Sequence, residues 1–129
     1  MLKAIPTLLF FVWASACSAC DCVDSPLAQR LDWSSDVFIA DVIEHRPLGA
    51  VEMVVTESFK GSAVEKITIA VAGSDCDYFL PPINPMPNQS YLIFMTRIAG
   101  KNTVSRCLGS GPSDSKVAEI SILRDRAKK

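Results

Sequence analysis

Histidine is almost missing from this 129-residue chain: His45 is the only one. One imidazole cannot complete a three-residue zinc site of the chain's own, and nothing places it beside a nucleophile to form a Ser/His/Asp or Cys/His triad. His45 precedes Arg46-Pro47 and reads as a loop residue at a strand end. The carboxylates are scattered, with no acid/base pair. No enzyme activity and no cofactor are therefore expected. Basic stripes are missing too. No Lys/Arg run exceeds Lys128-Lys129, a solvated end, and the formal net charge is −1. That balance argues against nucleic-acid binding. Also missing is an apolar run long enough to cross a bilayer, which takes about 20 residues. The candidate run, Ile5 to Trp13, is far shorter. No internal repeat or low-complexity segment is present.

The composition is that of an ordinary globular protein, 49% apolar and 21% charged. The first segment reads as an export signal. Lys3 is a positive n-region, Ile5 to Trp13 the apolar stretch, and Ala14-Ser15-Ala16-Cys17-Ser18-Ala19 the small residues a peptidase needs. A cut after Ala19 is favoured. It leaves Cys20 first, residues 1–19 as signal peptide and 20–129 as a single domain. A lipoprotein-type cut after Ala16 is the alternative and leaves Cys17 to be lipidated, although Ala14 stands where such signals carry Leu. The expected location is exported, periplasmic or extracellular, or membrane-anchored if Cys17 is acylated.

Export decides how the five cysteines are read. With Cys17 lost or lipidated, Cys20, Cys22, Cys76 and Cys107 remain. In an oxidising compartment four cysteines are a disulfide framework, and they allow three pairings. Each link adds roughly 2–4 kcal/mol by restricting the unfolded chain.

Patterning predicts an all-β domain with a helix at each end. Ser25 is expected to cap a two-turn helix with Pro26 in its first turn and Leu27, Leu31 and Trp33 on its apolar face. Strands are expected over Val37–Glu44, over the alternating Val51, Met53 and Val55, over Ile67, Ile69 and Val71, over Tyr91–Ile98 and over Thr103–Cys107. Gly100-Lys101-Asn102 reads as a hairpin turn. The stretch from Ala72 to Asn88 carries four prolines, which exclude a central strand; Pro81 to Asn88 reads as a rigid spacer or a partner-contact edge. Gly109 to Ser113 is a break. Ser113 or Asp114 should cap a last helix with Val117, Ile120 and Leu123 at helical spacing. Trp33 and Phe38 are expected in the core. Five such strands suggest a closed or partly closed barrel, which removes exposed sheet edges. Asn88-Gln89-Ser90 is a sequon by pattern only.

At this point the order of motifs resembles a known family. Cys20-Asp21-Cys22 at the processed N-terminus, Asp36-Val37-Phe38-Ile39, Ser58-Phe59-Lys60-Gly61, Gly73-Ser74-Asp75-Cys76, Tyr91-Leu92-Ile93 and Cys107, 31 residues after Cys76, are similar to the N-terminal, netrin-like domain of the tissue inhibitors of metalloproteinases. The resemblance implies a five-stranded oligonucleotide/oligosaccharide-binding (OB) barrel. It implies the pairings Cys20–Cys76 and Cys22–Cys107, and an inhibitory ridge of Cys20, Asp21, Cys22, Ser74, Asp75 and Cys76. The family's third bridge in this domain has no cysteines here, and its C-terminal domain has no counterpart. That layout resembles bacterial single-domain relatives.

The resemblance also implies a mechanism. A catalytic zinc keeps one coordination position open. A free α-amine, of pKa near ~8, loses its proton beside a cation. The amine nitrogen and carbonyl oxygen of Cys20 would chelate a partner protease's zinc and displace its nucleophilic water. Asp21 would then face the protease's first primed pocket. A carboxylate buried there without a partner is costly, so the expected partner is a zinc protease with a basic or polar pocket. If Cys17 is lipidated, the Cys20 nitrogen is an amide and a poor ligand. The expectation is thus a secreted, monomeric, metalloprotease-inhibitor-like protein; the rival is an exported OB-fold binding module without inhibitory activity. A thiol oxidoreductase using Cys20 and Cys22 is a third, weaker reading.

Overall fold

The computed structural model describes residues 20, 22–46, 50–61, 65–70, 76–79 and 85–128. The expected signal segment, Asp21, Ser74, Asp75 and the Pro81–Asn84 part of the proline-rich stretch lie outside them.

The chain is mostly strand. Helix α1 (Leu27–Trp33) precedes β1 (Asp36–Arg46), β2 (Ala50–Lys60), β3 (Lys66–Ala70), β4 (Ser90–Ile98), β5 (Lys101–Val104) and the two-residue β6 (Gly111–Pro112); helix α2 (Val117–Ala127) ends the described chain. The five long strands form one antiparallel sheet in the order β3-β2-β1-β4-β5, with β6 on the side of β4. The sheet curls into a half-barrel. Three register shifts between β1 and β2, at Val37/Phe38, Ile39/Ala40 and Val42/Glu44, put the bends where a sheet must turn to close. β3 and β5 then come together without a backbone ladder. Asn102 bridges that seam by donating Nδ2 to the Thr68 carbonyl at 3.3 Å. This is the five-stranded OB-type architecture with a short N-terminal and a C-terminal helix.

Two cores explain why β1 and β4 read as nearly continuous apolar runs. Inside the barrel lie Phe38, Ala40, Val42, Val51, Met53, Ile67, Ile69, Phe79, Tyr91, Ile93, Met95 and Val104. Outside it, Val37, Ile39, Leu92 and Phe94 are covered by Leu31 of α1, by Leu108, and by Ile120 and Leu123 of α2. Alternate side chains of one strand point to opposite faces, so a strand apolar at every position must be covered on both.

Several expectations need correcting. Ser25 does not cap α1. Pro26 occupies the N-cap, with no side-chain cap bond, and the Ser25 hydroxyl donates to the Val23 carbonyl instead. Trp33 is 52% exposed and belongs to neither core, whereas Phe38 is buried as expected. A helix of seven residues has room for one buried stripe, and Leu31 fills it. His45 lies in β1 opposite Val51, not in a loop. The β4–β5 turn is the two-residue Ala99-Gly100, both with positive φ (50° and 77°), so Lys101 and Asn102 are already strand. β5 ends at Val104, and Cys107 sits in a separate 3-10 turn, Arg106–Leu108. α2 starts after a 3-10 turn, Ser113–Ser115, without a side-chain cap, and Val117 is 66% exposed while Ile120 and Leu123 are buried. Among the described residues no helix is long and apolar enough to cross a membrane.

Candidate functional site

Two neighbouring backbone segments make the platform on which the N-terminal residues sit. The first is Cys76–Phe79. It runs antiparallel to the end of β5: Tyr78 N donates to the Val104 carbonyl at 2.9 Å, Asp77 pairs with Ser105, and Arg106 N donates to the Cys76 carbonyl at 2.7 Å. The Arg106 guanidinium adds an Nε bond to the Asp77 carbonyl at 2.9 Å. Tyr78 and Phe79 meet edge-to-face at 5.0 Å, and both meet Tyr91 of β4, at 6.2 and 5.7 Å, which ties this segment to the barrel interior. Burial pushes the phenols of Tyr78 and Tyr91 above their ordinary range, and for Tyr78 the neighbouring Tyr91 adds to it.

The second segment is the 3-10 turn that carries Cys107. The Ser105 hydroxyl caps it by accepting from Cys107 N at 3.1 Å, and Gly109 ends it in the left-handed region. Pairing Cys76–Phe79 with the exit of β5 brings Cys76 and Cys107 side by side, although 31 residues separate them.

Residues 20 and 22 are tied to this platform by two disulfides, Cys20–Cys76 and Cys22–Cys107, with Cα–Cα distances of 5.1 and 4.9 Å. These are the pairs that the family resemblance implies. One bridge would leave the segment free to pivot. Two, spaced two residues apart, restrain both position and direction. Cys20 is half-buried and Cys22 exposed. Asp21, Ser74 and Asp75, the remaining expected ridge residues, lie outside the described residues.

Arg30, on α1, holds the segment from behind, and no sequence pattern marked it. Its Nε donates to the Ser25 carbonyl at 3.1 Å, Nη1 to the Leu108 carbonyl at 3.2 Å, and Nη1 and Nη2 to Glu119 of α2 at 3.3 and 3.4 Å. The guanidinium also lies 5.2 Å from the centroid of the Phe94 ring. One side chain thus joins the stretch after Cys22, the turn carrying Cys107, and both helices. Gly109 leaves it room, because a Cβ there would run into Arg30 Nη1.

A cleft of about 350 Å³ opens beside the platform. Cys76, Asp77 and Ser105 form one wall, and Ile98, Ala99 and Lys101 of the β4–β5 hairpin another. Chemically, the site offers a doubly tethered backbone segment and an apolar cleft next to it. His45, on the β1–β2 ladder, takes no part in it. No protein-family model matches the chain, and no curated protein matches it either.

Proposed function

We propose that the protein is an exported metalloprotease inhibitor that chelates the catalytic zinc of its target through the amine and carbonyl of Cys20. One observation carries this reading: residues 20 and 22 are covalently bound to two segments that the barrel itself fixes. A bidentate ligand held in this way loses little conformational freedom on binding. Its nitrogen becomes a ligand only if processing after Ala19 frees it. Asp21 directs the inhibitor toward proteases whose first primed pocket is basic or polar. The cleft beside Cys76 favours a second reading, an exported OB-fold binding module, with or without a lipid on Cys17, that does not inhibit.

The test compares protein verified to begin at Cys20 with the same protein extended by one alanine, against a panel of zinc proteases. The expected result is inhibition by the first form and a loss of at least roughly a hundredfold, about 2.7 kcal/mol, in the second. Absence of inhibition at micromolar concentration across the panel removes the proposal. Acylated protein recovered in the membrane fraction favours the binding module.

A further inference from the structure

We propose that the four cysteines of the staple form, when reduced, a tetrathiolate site for one soft divalent cation of the zinc class, so that metal and disulfides are alternative ways of holding the same segment. The proposal is independent of protease inhibition.

The sulfurs are already gathered. Those of Cys20, Cys22 and Cys107 all lie within 4.8 Å of one another. Cys20 Sγ and Cys107 Sγ, which belong to different bridges, are 3.4 Å apart. The Cys76 sulfur completes the group through its bond to Cys20. Zinc–thiolate bonds of about 2.3 Å in a tetrahedron place the sulfurs about 3.8 Å apart. Three of the sulfurs therefore already lie near that spacing, and the fourth, Cys76, must swing toward them once its bond to Cys20 is gone.

Two of the ligands do not depend on the bridges for their position. Cys76 is held by the Arg106 N bond to its carbonyl and by the Asp77–Ser105 pairing. Cys107 is held by the Ser105 cap and by Arg30 on the Leu108 carbonyl. Cys20 and Cys22 arrive on one short segment that Arg30 anchors at Ser25. A zinc tetrathiolate carries a charge of −2. Next to the ligands in sequence stand charges of both signs, Arg106 beside Cys107, with its guanidinium bonded to the Asp77 carbonyl, and the buried Asp77 beside Cys76.

The chemistry balances. A phosphine reduces each disulfide to two thiols and takes up the oxygen of one water. Four thiols then bind one M²⁺ and release four protons. In the reverse direction, two equivalents of an external disulfide oxidise the four thiolates to the two bridges, yielding four small thiolates and free M²⁺.

The experiment uses phosphine-reduced protein, titrated anaerobically with cobalt(II) and then with zinc. Expected are one cobalt per chain, thiolate-to-cobalt charge-transfer and tetrahedral d–d bands, and their loss as zinc displaces cobalt. The oxidised protein should show none. Cys20→Ser, Cys22→Ser, Cys76→Ser and Cys107→Ser should each lower the charge-transfer intensity. Because the reduced chain is free to unfold without metal, far-UV circular dichroism is followed in parallel, and zinc should restore the β-sheet signal. Absent bands, bands undiminished in Cys107→Ser, one cobalt shared by two chains, or cobalt bound without recovery of a sheet signal that reduction had abolished would each overturn the proposal.

Discussion

Replacing Gly109 by alanine tests how the N-terminal segment is supported from behind. Gly109 has φ of 87°, and a Cβ on it collides with Arg30 Nη1. The backbone part costs about 1–2 kcal/mol, the usual penalty of an L-residue in the left-handed region. The collision pushes the guanidinium away from Glu119, the Leu108 carbonyl and the Phe94 ring. The Arg30 side chain is only 13% exposed and that of Glu119 27%, so their contact is only partly screened by solvent. Loss of one such charge-assisted bond costs about 1.5–3 kcal/mol. The two costs overlap, because a small backbone shift relieves both, and the total expected is about 2–4 kcal/mol. Urea unfolding followed by circular dichroism measures it. In an Arg30→Ala background there is nothing left to collide with, and Gly109→Ala should cost only the backbone share of about 1–2 kcal/mol. An equal cost in both backgrounds, or a total below about 0.5 kcal/mol, refutes the role given to Arg30.

Two further expectations concern the barrel. Ala99 occupies a left-handed position in the β4–β5 turn, so Ala99→Asn, which creates the preferred Asn-Gly pair, should stabilise the protein by about 0.5–1 kcal/mol in urea unfolding; a loss of stability contradicts the turn. Burial raises the Tyr78 and Tyr91 phenols, so the folded state holds their protons more tightly than the unfolded chain does. That contribution is complete below the ordinary tyrosine pKa of 10.0 and is lost as pH rises through the higher folded values. Stability should therefore fall above about pH 10, with tyrosinate absorbance of the folded protein appearing later than in urea, and Tyr78→Phe should flatten the fall. A folded-state titration that coincides with the unfolded one rules this out.

The strands were legible because alternation has a physical cause. Val51 and Met53 point inward, and a slip of one residue would expose them. Three features were not legible, for reasons that lie in tertiary packing. The long apolar runs of β1 and β4 conceal which residues face which core, since both faces are covered. Cys107 looks like the last residue of a strand because Thr103 and Val104 alternate correctly up to it. The chain turns there because Ser105 caps a 3-10 turn and Cys22 bonds to Cys107. Val117 fits helical spacing with Ile120 and Leu123, yet it begins α2 beyond the reach of the sheet and stays exposed. At the site, the cysteine spacing alone left three pairings open, and family resemblance singled out one. Arg30 left no trace in the pattern, because an arginine on a short helix reads as a solvated residue until the turn carrying Cys107 packs against it. The left-handed Gly109 was the one available hint.

The inhibitor proposal is tested most directly at the metal itself. A zinc protease from the panel, substituted with cobalt(II), is mixed with oxidised protein that begins at Cys20, and its d–d spectrum is recorded. A shift to a cobalt bearing an added nitrogen and oxygen ligand, absent when an alanine precedes Cys20, is the predicted result. An unchanged spectrum under conditions where the two proteins are bound to each other would contradict chelation by Cys20.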